Sequence, residues 1–306
     1  EEEIINGTYY SDEGHLYGLP YGTAYYYGIY YNKKVLEEAG VEKLPSNWAE
    51  FLAACEKVKS IGKVPVYYST VDGWTNQIFL MTAFNKDYDD FGMDVNEFWT
   101  SINTNKIKFS ECKNALDSIN KSKDLVDKGY VQDTYLADSY DMAQTALANG
   151  DCAFYGCANT VVSEIASKYP DKAEDIGGMV VPLFDEGENQ LSIAMPTMLS
   201  VTTASKNPEL AKKAIDFMSS VKGQEIYAEA QPGVYINQDV EIDMLPALEE
   251  QGECTKIAAW ELKYAANTAG TLLVDCYVGS KTPEEVLSSM DEEFARSAEA
   301  AGDENW

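Results

Sequence analysis

Residues 15–34 of the chain read HLYGLPYGTAYYYGIYYNKK, and the interpretation of the whole sequence starts from this stretch. Seven of the 21 tyrosines lie between Tyr17 and Tyr31, in a run that glycines and one proline interrupt. A half-buried strand needs an apolar residue at only every second position, so these rings exceed what strand packing requires. Because glycine and proline favour bent backbone, we expect part of the stretch to present exposed rings. Such a surface suits a ligand with flat apolar faces and polar edges.

Length and composition indicate a two-lobed globular protein with a neutral ligand. The 306 residues exceed what most single cores hold, and a content of 45% hydrophobic and 24% charged residues is ordinary for a folded chain. With 23 basic against 51 acidic residues, the formal net charge of −28 disfavours nucleic acid, anionic membrane and highly anionic ligands. Arg296 is the sole arginine, so bidentate clamps for carboxylates or phosphates are nearly absent.

The sequence lacks motifs for catalysis, metals and cofactors. A nucleophilic triad would depend on the single histidine, His15, which lies in a polar turn and is interpreted as solvated. Neither a P-loop nor a dinucleotide-binding glycine pattern follows a strand, and the cysteine spacing fits no common zinc signature. We therefore predict no catalytic residue, no metal and no cofactor. Six cysteines are interpreted mainly as small buried residues: Cys55, Cys112, Cys152, Cys157, Cys254 and Cys276.

Capping residues and hydrophobic periodicity predict helices that alternate with short strands, as in a mostly parallel α/β sheet. The predicted helices cover residues 33–39, 48–61, 74–84, 95–102, 110–128, 139–148, 207–219, 223–230, 255–266, 270–277 and 282–300, and one more begins near Thr160. The predicted strands cover 64–68, 152–157 and 179–182, with two further pieces on either side of 195–197. The best-specified helix start has Asn47 and Glu50 at capping-box spacing.

Two junctions place side chains at the carboxyl edge of this sheet, which is where open α/β sheets bind ligands. Trp74 directly follows a glycine-containing loop after the strand at 64–68. Asn159 and Thr160 lie where a predicted strand turns into a helix. Trp48 and Trp99 fall within apolar helical patterns and are interpreted as packing residues. Trp74 is thus the tryptophan expected to line a pocket.

Four motifs resemble those of the extracellular solute-binding proteins of ABC sugar importers, the family 1, maltose-binding-protein-like group. They lie within residues 16–33 (LYGLPYGT followed by GIYYNK) and at 47–51 (NWAEF), 149–154 (NGDCAF) and 205–217 (SKNPELAKKAIDF). The motifs occur in the family's order. The sequence is therefore similar to that family over nearly all of its 306 residues.

The resemblance implies an α/β, periplasmic-binding-protein-like (type II) fold, in which two lobes close over a ligand in the cleft between them. It also implies a neutral mono- or oligosaccharide ligand, because sugar C–H faces stack on aromatic rings while hydroxyls bond to polar neighbours. By motif position, the expected carbohydrate-binding residues are Tyr21, Thr23, Tyr25, Tyr26, Trp74, Asn76, Asn159 and Thr197.

A partner and a location follow from the same resemblance. The implied partner is the membrane permease of an ABC importer. The implied location is the periplasm or the extracellular face of the cell membrane, where a lipid anchor would hold the protein. No run in this chain reaches the length of a membrane span, and any targeting segment is expected outside it.

Two departures from the family's pattern modify these expectations. Thr160 stands where many members carry a stacking tryptophan, so a ligand of different size or placement is expected. Family members also carry roughly another hundred residues before the tyrosine-rich stretch, a domain-sized segment that one lobe needs. We therefore expect an incomplete first lobe. Its remnant with the hinge strands would be residues 1–22 and 199–254, and the C-terminal lobe would be 23–198 and 255–306.

Two alternatives stay open at this point. One is a binding protein for a non-sugar solute such as a peptide, a polyamine or a metal chelate, since an acidic surface admits cations. The other is an enzyme of the glycoside hydrolase type, because 51 acidic residues allow many carboxylate pairs although no pair stands out.

Overall fold

The second half of the tyrosine-rich stretch forms a central strand of a mixed sheet. The computed structural model describes residues 11–12, 15–21, 25–184, 189, 191–194, 198–231, 247–248, 262–264 and 269–306. The strands are β1 (Ser11–Asp12), β2 (His15–Leu16), β3 (Leu19–Pro20), β4 (Tyr25–Asn32), β5 (Val64–Tyr67), β6 (Cys152–Ala158), β7 (Ile176–Met179), β8 (Ser192–Ala194) and β9 (Met198–Leu199).

Eleven helices are found in the described residues, and most of them pack on this sheet or connect its strands. They are α1 (Lys33–Glu38), α2 (Trp48–Ser60), α3 (Ile78–Asp90), α4 (Val95–Asn103), α5 (Lys113–Asp127), α6 (Tyr140–Asn149), α7 (Thr160–Lys168), α8 (Pro208–Met218), α9 (Val221–Ala230), α10 (Ala269–Tyr277) and α11 (Pro283–Ala300). Short 3₁₀ helices cover Thr70–Asp72, Trp74–Gln77, Phe109–Glu111 and Pro170–Asp175. The predicted helix at 255–266 lies outside the described residues.

The main sheet has the order β5, β6, β4, and then β7 and β8 along the far edge of β4. Only β5 and β6 run parallel, whereas β4 is antiparallel to β6, β7 and β8. The expectation of a mostly parallel sheet is therefore wrong. Hydrophobic periodicity marks where β4 lies but does not report the direction in which the strand runs beside its neighbours.

Two apolar layers cover the two faces of the sheet. Along β4, Ile29 and Tyr31 pack into one core and Tyr30 into the other, as the alternation of a strand requires. The larger core draws on helices α2, α3, α5, α10 and α11, and the smaller one on α6 and α7. Trp48 and Trp99 are 6% and 1% exposed in the larger core, which confirms their interpretation as packing residues. The sheet edge where β5 and β6 end thus lies between two filled layers.

Two chain segments run side by side from one sheet to another. β3 pairs antiparallel with β9, and β4 pairs antiparallel with β8, so the same two segments pair on both sides of residues 22–24 and 195–197. The segments approach closely at Gly18, where a Cβ atom would stand 2.7 Å from Oγ of Ser200. Paired crossings of this kind are what a two-lobed fold uses as a hinge. The lobe boundaries given above, and the incomplete first lobe, stay predictions.

Side-chain caps and glycines account for several helix ends. Asn32 caps α1 by accepting a bond from the Val35 N–H at 3.1 Å, and Gly150 ends α6 in the left-handed region with φ +72°. At α2 the capping box is only half formed. Asn47 accepts from the Glu50 N–H at 2.9 Å, but the Glu50 carboxylate accepts from the N–H and hydroxyl of Ser46. These bonds lower the pKa of Glu50.

One strand lies three residues before its predicted position. We expected a strand at 179–182, and the strand is β7, which ends at Met179 and contains Gly177 and Gly178. A Cβ atom on Gly177 would stand 2.2 Å from Cζ of Tyr31 on the neighbouring strand. Glycine is therefore needed to bring β7 against that ring, although glycine weakens the strand pattern in a sequence.

Several smaller predictions can be scored on the described residues. His15 lies in β2 opposite Asp12, so its placement in a polar turn is wrong. Five of the six cysteines are buried and free, as interpreted, and Cys254 lies outside the described residues. Within the described ranges there is no group of residues suited to hold a metal ion. No helix in those ranges combines the length and apolar character needed to cross a membrane.

The helix α8 carries an apolar face that other described residues leave open. None of its residues is buried, and Leu210 and Phe217 are 68% and 53% exposed. This helix lies in the motif at 205–217 that carries part of the family resemblance.

Candidate functional site

A tight turn at the end of β5 presents Trp74 to solvent. Gly73 has φ +72°, a left-handed conformation that favours glycine, and it precedes the 3₁₀ helix Trp74–Gln77. The Trp74 side chain keeps 36% of its surface exposed. One side of the indole packs on Tyr140, with ring centroids 5.3 Å apart and planes at 60°. The turn thus holds a partly free aromatic surface in a fixed position.

The start of α10 holds this turn in place. A Cβ atom on Gly270 would stand 2.2 Å from the carbonyl oxygen of Gly73, so the two backbones are in close contact. Asn76 is 7% exposed, and its Nδ2 donates to the Gly270 carbonyl at 3.2 Å. Asn76 therefore lies beside the site but uses its amide nitrogen to fix the Trp74 turn to α10.

A buried polar network supports the floor of the site. The hydroxyls of Ser69 and Tyr155 share a hydrogen bond of 2.7 Å, and those of Ser69 and Thr75 share one of 2.9 Å. Tyr67 donates its hydroxyl to Asp138 at 2.6 Å. With these partners the buried hydroxyls lose little on leaving water, and the ends of β5 and β6 are locked together.

Tyr140 differs from these tyrosines because its buried hydroxyl oxygen makes no hydrogen bond of ordinary length and angle, although Thr160, Glu164 and Cys157 lie close enough to interact with it. Its ring lies between Trp74 and Tyr155, whose centroid is 6.4 Å away. The side chains of Thr160 and Glu164 lie next to the hydroxyl. Burial, followed by the nearby Cys157 and Glu164 groups, raises the pKa of Tyr140 far above its usual value. The hydroxyl therefore stays protonated and able to donate at physiological pH.

Asn159 joins the tyrosine-rich strand to the start of α7. It is 3% exposed, and its side-chain oxygen accepts from the Tyr26 N–H at 3.1 Å. Its own N–H donates to the Tyr26 carbonyl at 2.9 Å. These two bonds fix the entry of β4 against the β6–α7 turn. The side chains of Tyr25 and Tyr26 are both partly exposed at that entry.

Tyr21, in the tyrosine-rich stretch, lies against the helix α9. Its ring packs on Tyr227, with centroids 4.6 Å apart and planes at 47°. Burial raises the pKa of Tyr227, and the neighbouring Tyr21, Tyr25 and Glu164 raise it further. The tyrosine-rich stretch, α9 and α7 therefore meet in one region.

The rim of this region is acidic. The Asp72 carboxylate accepts from the Tyr140 N–H. Glu164 accepts a bond from the amide nitrogen of Gln144, and Lys168 pairs with Asp141. The carboxylates of Asp72, Asp141 and Glu164 and the ammonium group of Lys168 thus lie around Tyr140. The local charge disfavours anionic ligands, in line with the charge of the whole chain.

A cleft of about 460 Å³ lies elsewhere, lined by Asp87, Asp90, Phe91 and their neighbours. Its one buried carboxylate, Asp87, already accepts from the N–H groups of Asn114 and Ala115 at 2.9 Å each. Asp87 therefore caps the start of α5 rather than facing a ligand. The aromatic region around Trp74 is the better candidate site.

The structure brings most of the predicted site residues together. Tyr25, Tyr26 and Asn159 form one junction, and Trp74 with Asn76 forms the other, while Tyr21 lies against α9. Thr23 and Thr197 lie outside the described residues. No ligand contact has been observed for any of these residues, so their roles stay predictions.

Sequence reasoning missed four residues that complete the region, namely Tyr140, Tyr155, Glu164 and Tyr227. Two of them carried a usable signal. Tyr140 is the first residue of a helix that Ser139 caps, and Glu164 lies one turn after Thr160, a position already singled out. Tyr155 and Tyr227 sit within ordinary apolar patterns that give no sign of their neighbours.

Comparison with known proteins identifies the family. The family described as bacterial extracellular solute-binding proteins matches residues 2–225 of the chain, which is well over half of it. The chain belongs to this family. A binding protein of Brucella abortus (strain 2308) is 22% identical over 286 residues, which cover 90% of this chain and 66% of that protein. The chain therefore spans just under two thirds of the length of this relative.

Solved structures support the type II fold for this solute-binding protein. A chitin oligosaccharide binding protein is 21% identical with a TM-score of 0.75, covering 94% of this chain and 73% of that one. The solute-binding protein RafE in complex with raffinose is also 21% identical with a TM-score of 0.75, and the match covers 97% of this chain and 77% of that one. At this identity the likeness establishes the fold, and the expected α/β, periplasmic-binding-protein-like fold is confirmed.

Proposed function

We propose that this solute-binding protein holds a neutral mono- or oligosaccharide between Trp74, Tyr140 and the tyrosine-rich stretch. It delivers the sugar to the permease of an ABC importer and does not cleave it. In this proposal Tyr21, Tyr25 and Tyr26 border the ligand from the hinge side. Thr23 and Thr197 stay carbohydrate-binding residues predicted from the sequence. Asn76 and Asn159 orient the site through their bonds to the backbone.

One observation carries the proposal. A partly exposed indole, Trp74, lies beside Tyr140, whose buried hydroxyl makes no hydrogen bond of ordinary length and angle. A sugar supplies what both groups lack, because its C–H face covers an aromatic ring while its hydroxyls accept a hydrogen bond. The printed names of the structural neighbours, which mention chitin oligosaccharide, raffinose and stachyose, support the same ligand class.

Lobe closure would couple this binding to transport. Tyr21 packs on Tyr227 of α9, whereas Trp74 lies on the edge of the main sheet. A ligand that touches both sides only in a closed arrangement shifts the population toward that arrangement, which the permease then recognises. The family's description as extracellular supports a location in the periplasm, or at the extracellular face of the cell membrane through a lipid anchor.

A thermal-shift panel tests the proposal. The panel contains raffinose, stachyose, chitotriose and mannobiose, with spermidine and a tripeptide as non-sugar solutes. At least one neutral sugar is expected to stabilise the fold by about 2.7 kcal/mol at 100 times its Kd. Chromatography of each mixture is expected to show intact sugar. Released products would favour a glycoside hydrolase and contradict the proposal.

Polyamine binding is the second candidate, and the acidic rim favours it. Asp72, Asp141 and Glu164 surround Tyr140, with Lys168 as the nearby cation. A polyamine would pair with such carboxylates. Stabilisation by spermidine, with none by any sugar in the panel, would replace the sugar proposal by this one.

Removing the Tyr140 hydroxyl separates its binding role from its structural role. In Tyr140→Phe the free protein is expected to keep its stability within about 1 kcal/mol, because the lost hydroxyl makes no hydrogen bond of ordinary length and angle there. Sugar affinity is expected to fall about tenfold, since the ligand loses one donor. Denaturant unfolding and calorimetry measure the two effects.

Tyr67→Phe is the matched control for this pair of measurements. Its hydroxyl bonds to Asp138, so the free protein should lose stability. If Tyr140→Phe destabilised the free protein as much as Tyr67→Phe does, the Tyr140 hydroxyl would have a structural partner and its proposed role would be wrong.

A further inference from the structure

Two helices face each other across the back of the candidate site. Tyr140 and Gln144 are four residues apart on α6, and Thr160 and Glu164 are four residues apart on α7. Residues at this spacing lie one above the other on the same helix face. The hydrogen bond from Gln144 to Glu164 joins the two helices at one level. Tyr140 and Thr160 lie one helical turn earlier on their helices, nearer the Trp74 ring.

Only one oxygen of the Glu164 carboxylate is engaged by Gln144. Gln144 is 1% exposed, and its own side-chain oxygen accepts from Lys168 at 2.7 Å. Glu164 itself is partly exposed, so it is held in place without being sealed off. A carboxylate held in this way offers a fixed acceptor toward the space beside Tyr140.

The charged groups nearby do not neutralise this carboxylate. Lys168 pairs with Asp141, so that ammonium is already matched by one carboxylate. Asp72 accepts from the Tyr140 N–H on the other side. Arg296, the single arginine, lies on α11 and its nearest acidic partner there is Glu293 at 3.9 Å. A net negative field therefore remains around Glu164.

We propose that Glu164 sets the charge specificity of the site: it accepts a sugar hydroxyl and excludes sugars that carry a carboxylate. This inference rests on the proposed function, and it names the ligand class further as oligosaccharides without uronic acid groups. A hydroxyl gains from a charged acceptor, because such hydrogen bonds are the stronger ones. A ligand that carries a carboxylate about 5 Å from Glu164 would instead bind about tenfold or more weakly, because the two negative charges repel each other.

The test compares neutral and carboxylated forms of the same sugars. The probes are raffinose, stachyose, chitotriose and mannobiose, each with a derivative in which one primary alcohol is oxidised to a carboxylate. Calorimetry on the full chain gives the ratio of the two Kd values for each pair. The wild-type protein is expected to bind a neutral probe at least about tenfold more tightly than its carboxylate.

Glu164→Gln is expected to reduce this ratio to about threefold or less, because it removes the charge while its side-chain oxygen can still accept from Gln144. Glu56→Gln is the matched control. Glu56 lies on α2 and accepts from the Tyr130 hydroxyl at 2.8 Å. Its replacement changes the net charge by the same amount as Glu164→Gln and leaves the candidate site unaltered. The control is expected to leave the ratio unchanged.

Lys168→Gln provides a second variant that leaves Glu164 in place. Loss of this exposed ammonium makes the rim more negative, so the ratio is expected to rise about threefold. An unchanged ratio in Glu164→Gln, with neutral binding retained, would overturn the inference and leave the proposed function standing. A carboxylated probe that binds the wild type as tightly as its parent would also overturn it. If no neutral probe bound to the wild-type protein, both this inference and the proposed function would be wrong.

Discussion

Replacing Trp74 with alanine is expected to weaken sugar binding by at least about 100-fold. The indole is a partly exposed aromatic surface in the candidate site, and central aromatic anchors carry most of a site's binding energy. Its removal also takes away the ring that packs on Tyr140 at 5.3 Å. Since 36% of the side chain already faces solvent, the cost to the free energy of unfolding is expected to be about 1–2 kcal/mol. Calorimetry and denaturant unfolding measure the two quantities.

Trp306→Ala is the matched control for this prediction. Trp306 is also a partly buried tryptophan, but it packs on Phe294 and donates its indole N–H to the Asn103 carbonyl at 3.1 Å. Its removal is expected to lower stability and to leave sugar affinity unchanged. The opposite pattern, with binding retained in Trp74→Ala and a loss of stability above that of Trp306→Ala, would make Trp74 a core residue.

Gly270→Ala is expected to damage the fold and the site together. The added Cβ would stand 2.2 Å from the Gly73 carbonyl oxygen and 2.7 Å from its carbon, and backbone atoms cannot give way as a flexible side chain can. We expect a loss of about 1–3 kcal/mol in the free energy of unfolding, as for other overpacked positions. The Trp74 turn must move as well, so sugar affinity is expected to fall about tenfold. An exposed helical glycine would instead gain stability on the same change.

Gly156→Ala serves as the control for the added methyl group. Gly156 lies in β6, and a Cβ there would meet side-chain atoms of Ile78 and Ile29 at 3.5–3.6 Å, which is ordinary contact. Stability is expected to change by less than about 1 kcal/mol, and affinity by less than twofold. Equal stability and affinity in Gly270→Ala and the wild type would show that α10 does not hold the Trp74 turn.

Local signals explain why so many elements could be predicted. The ends of α1, α6 and α11 follow from a few side chains near each terminus, such as Asn32 or the Thr282–Glu285 capping box. Caps act within one helical turn, so their meaning does not depend on the rest of the chain. The same holds for the turn at Gly73, which was predicted from its glycine and proved to have a left-handed backbone.

Long-range contacts explain what could not be predicted. β7 was placed too late because Gly177 weakens the strand pattern, while the reason for that glycine, the Tyr31 ring, is far away in the chain. The bond from Asn76 to Gly270 spans 194 residues, so no local pattern reveals it. The direction of β4 depends on how the chain crosses between two sheets, which periodicity does not report.

The candidate site also combines residues that local sequence signals predict with contacts that only the folded chain reveals. Trp74 and Asn159 were found because they follow strands, and ligands bind where such strands end. The position of the Tyr140 hydroxyl beside the Glu164 carboxylate depends on how α6 packs against α7. Only the folded chain shows which polar groups have found partners and which remain available to a ligand.

A crystal structure of the protein with a neutral oligosaccharide from the panel tests the central claim most directly. The account predicts that an apolar sugar face covers the Trp74 ring and that a sugar hydroxyl accepts from the Tyr140 hydroxyl at about 2.7–2.8 Å. A sugar bound elsewhere, for example in the cleft beside Asp87 and Phe91, with Trp74 uncovered, would contradict it.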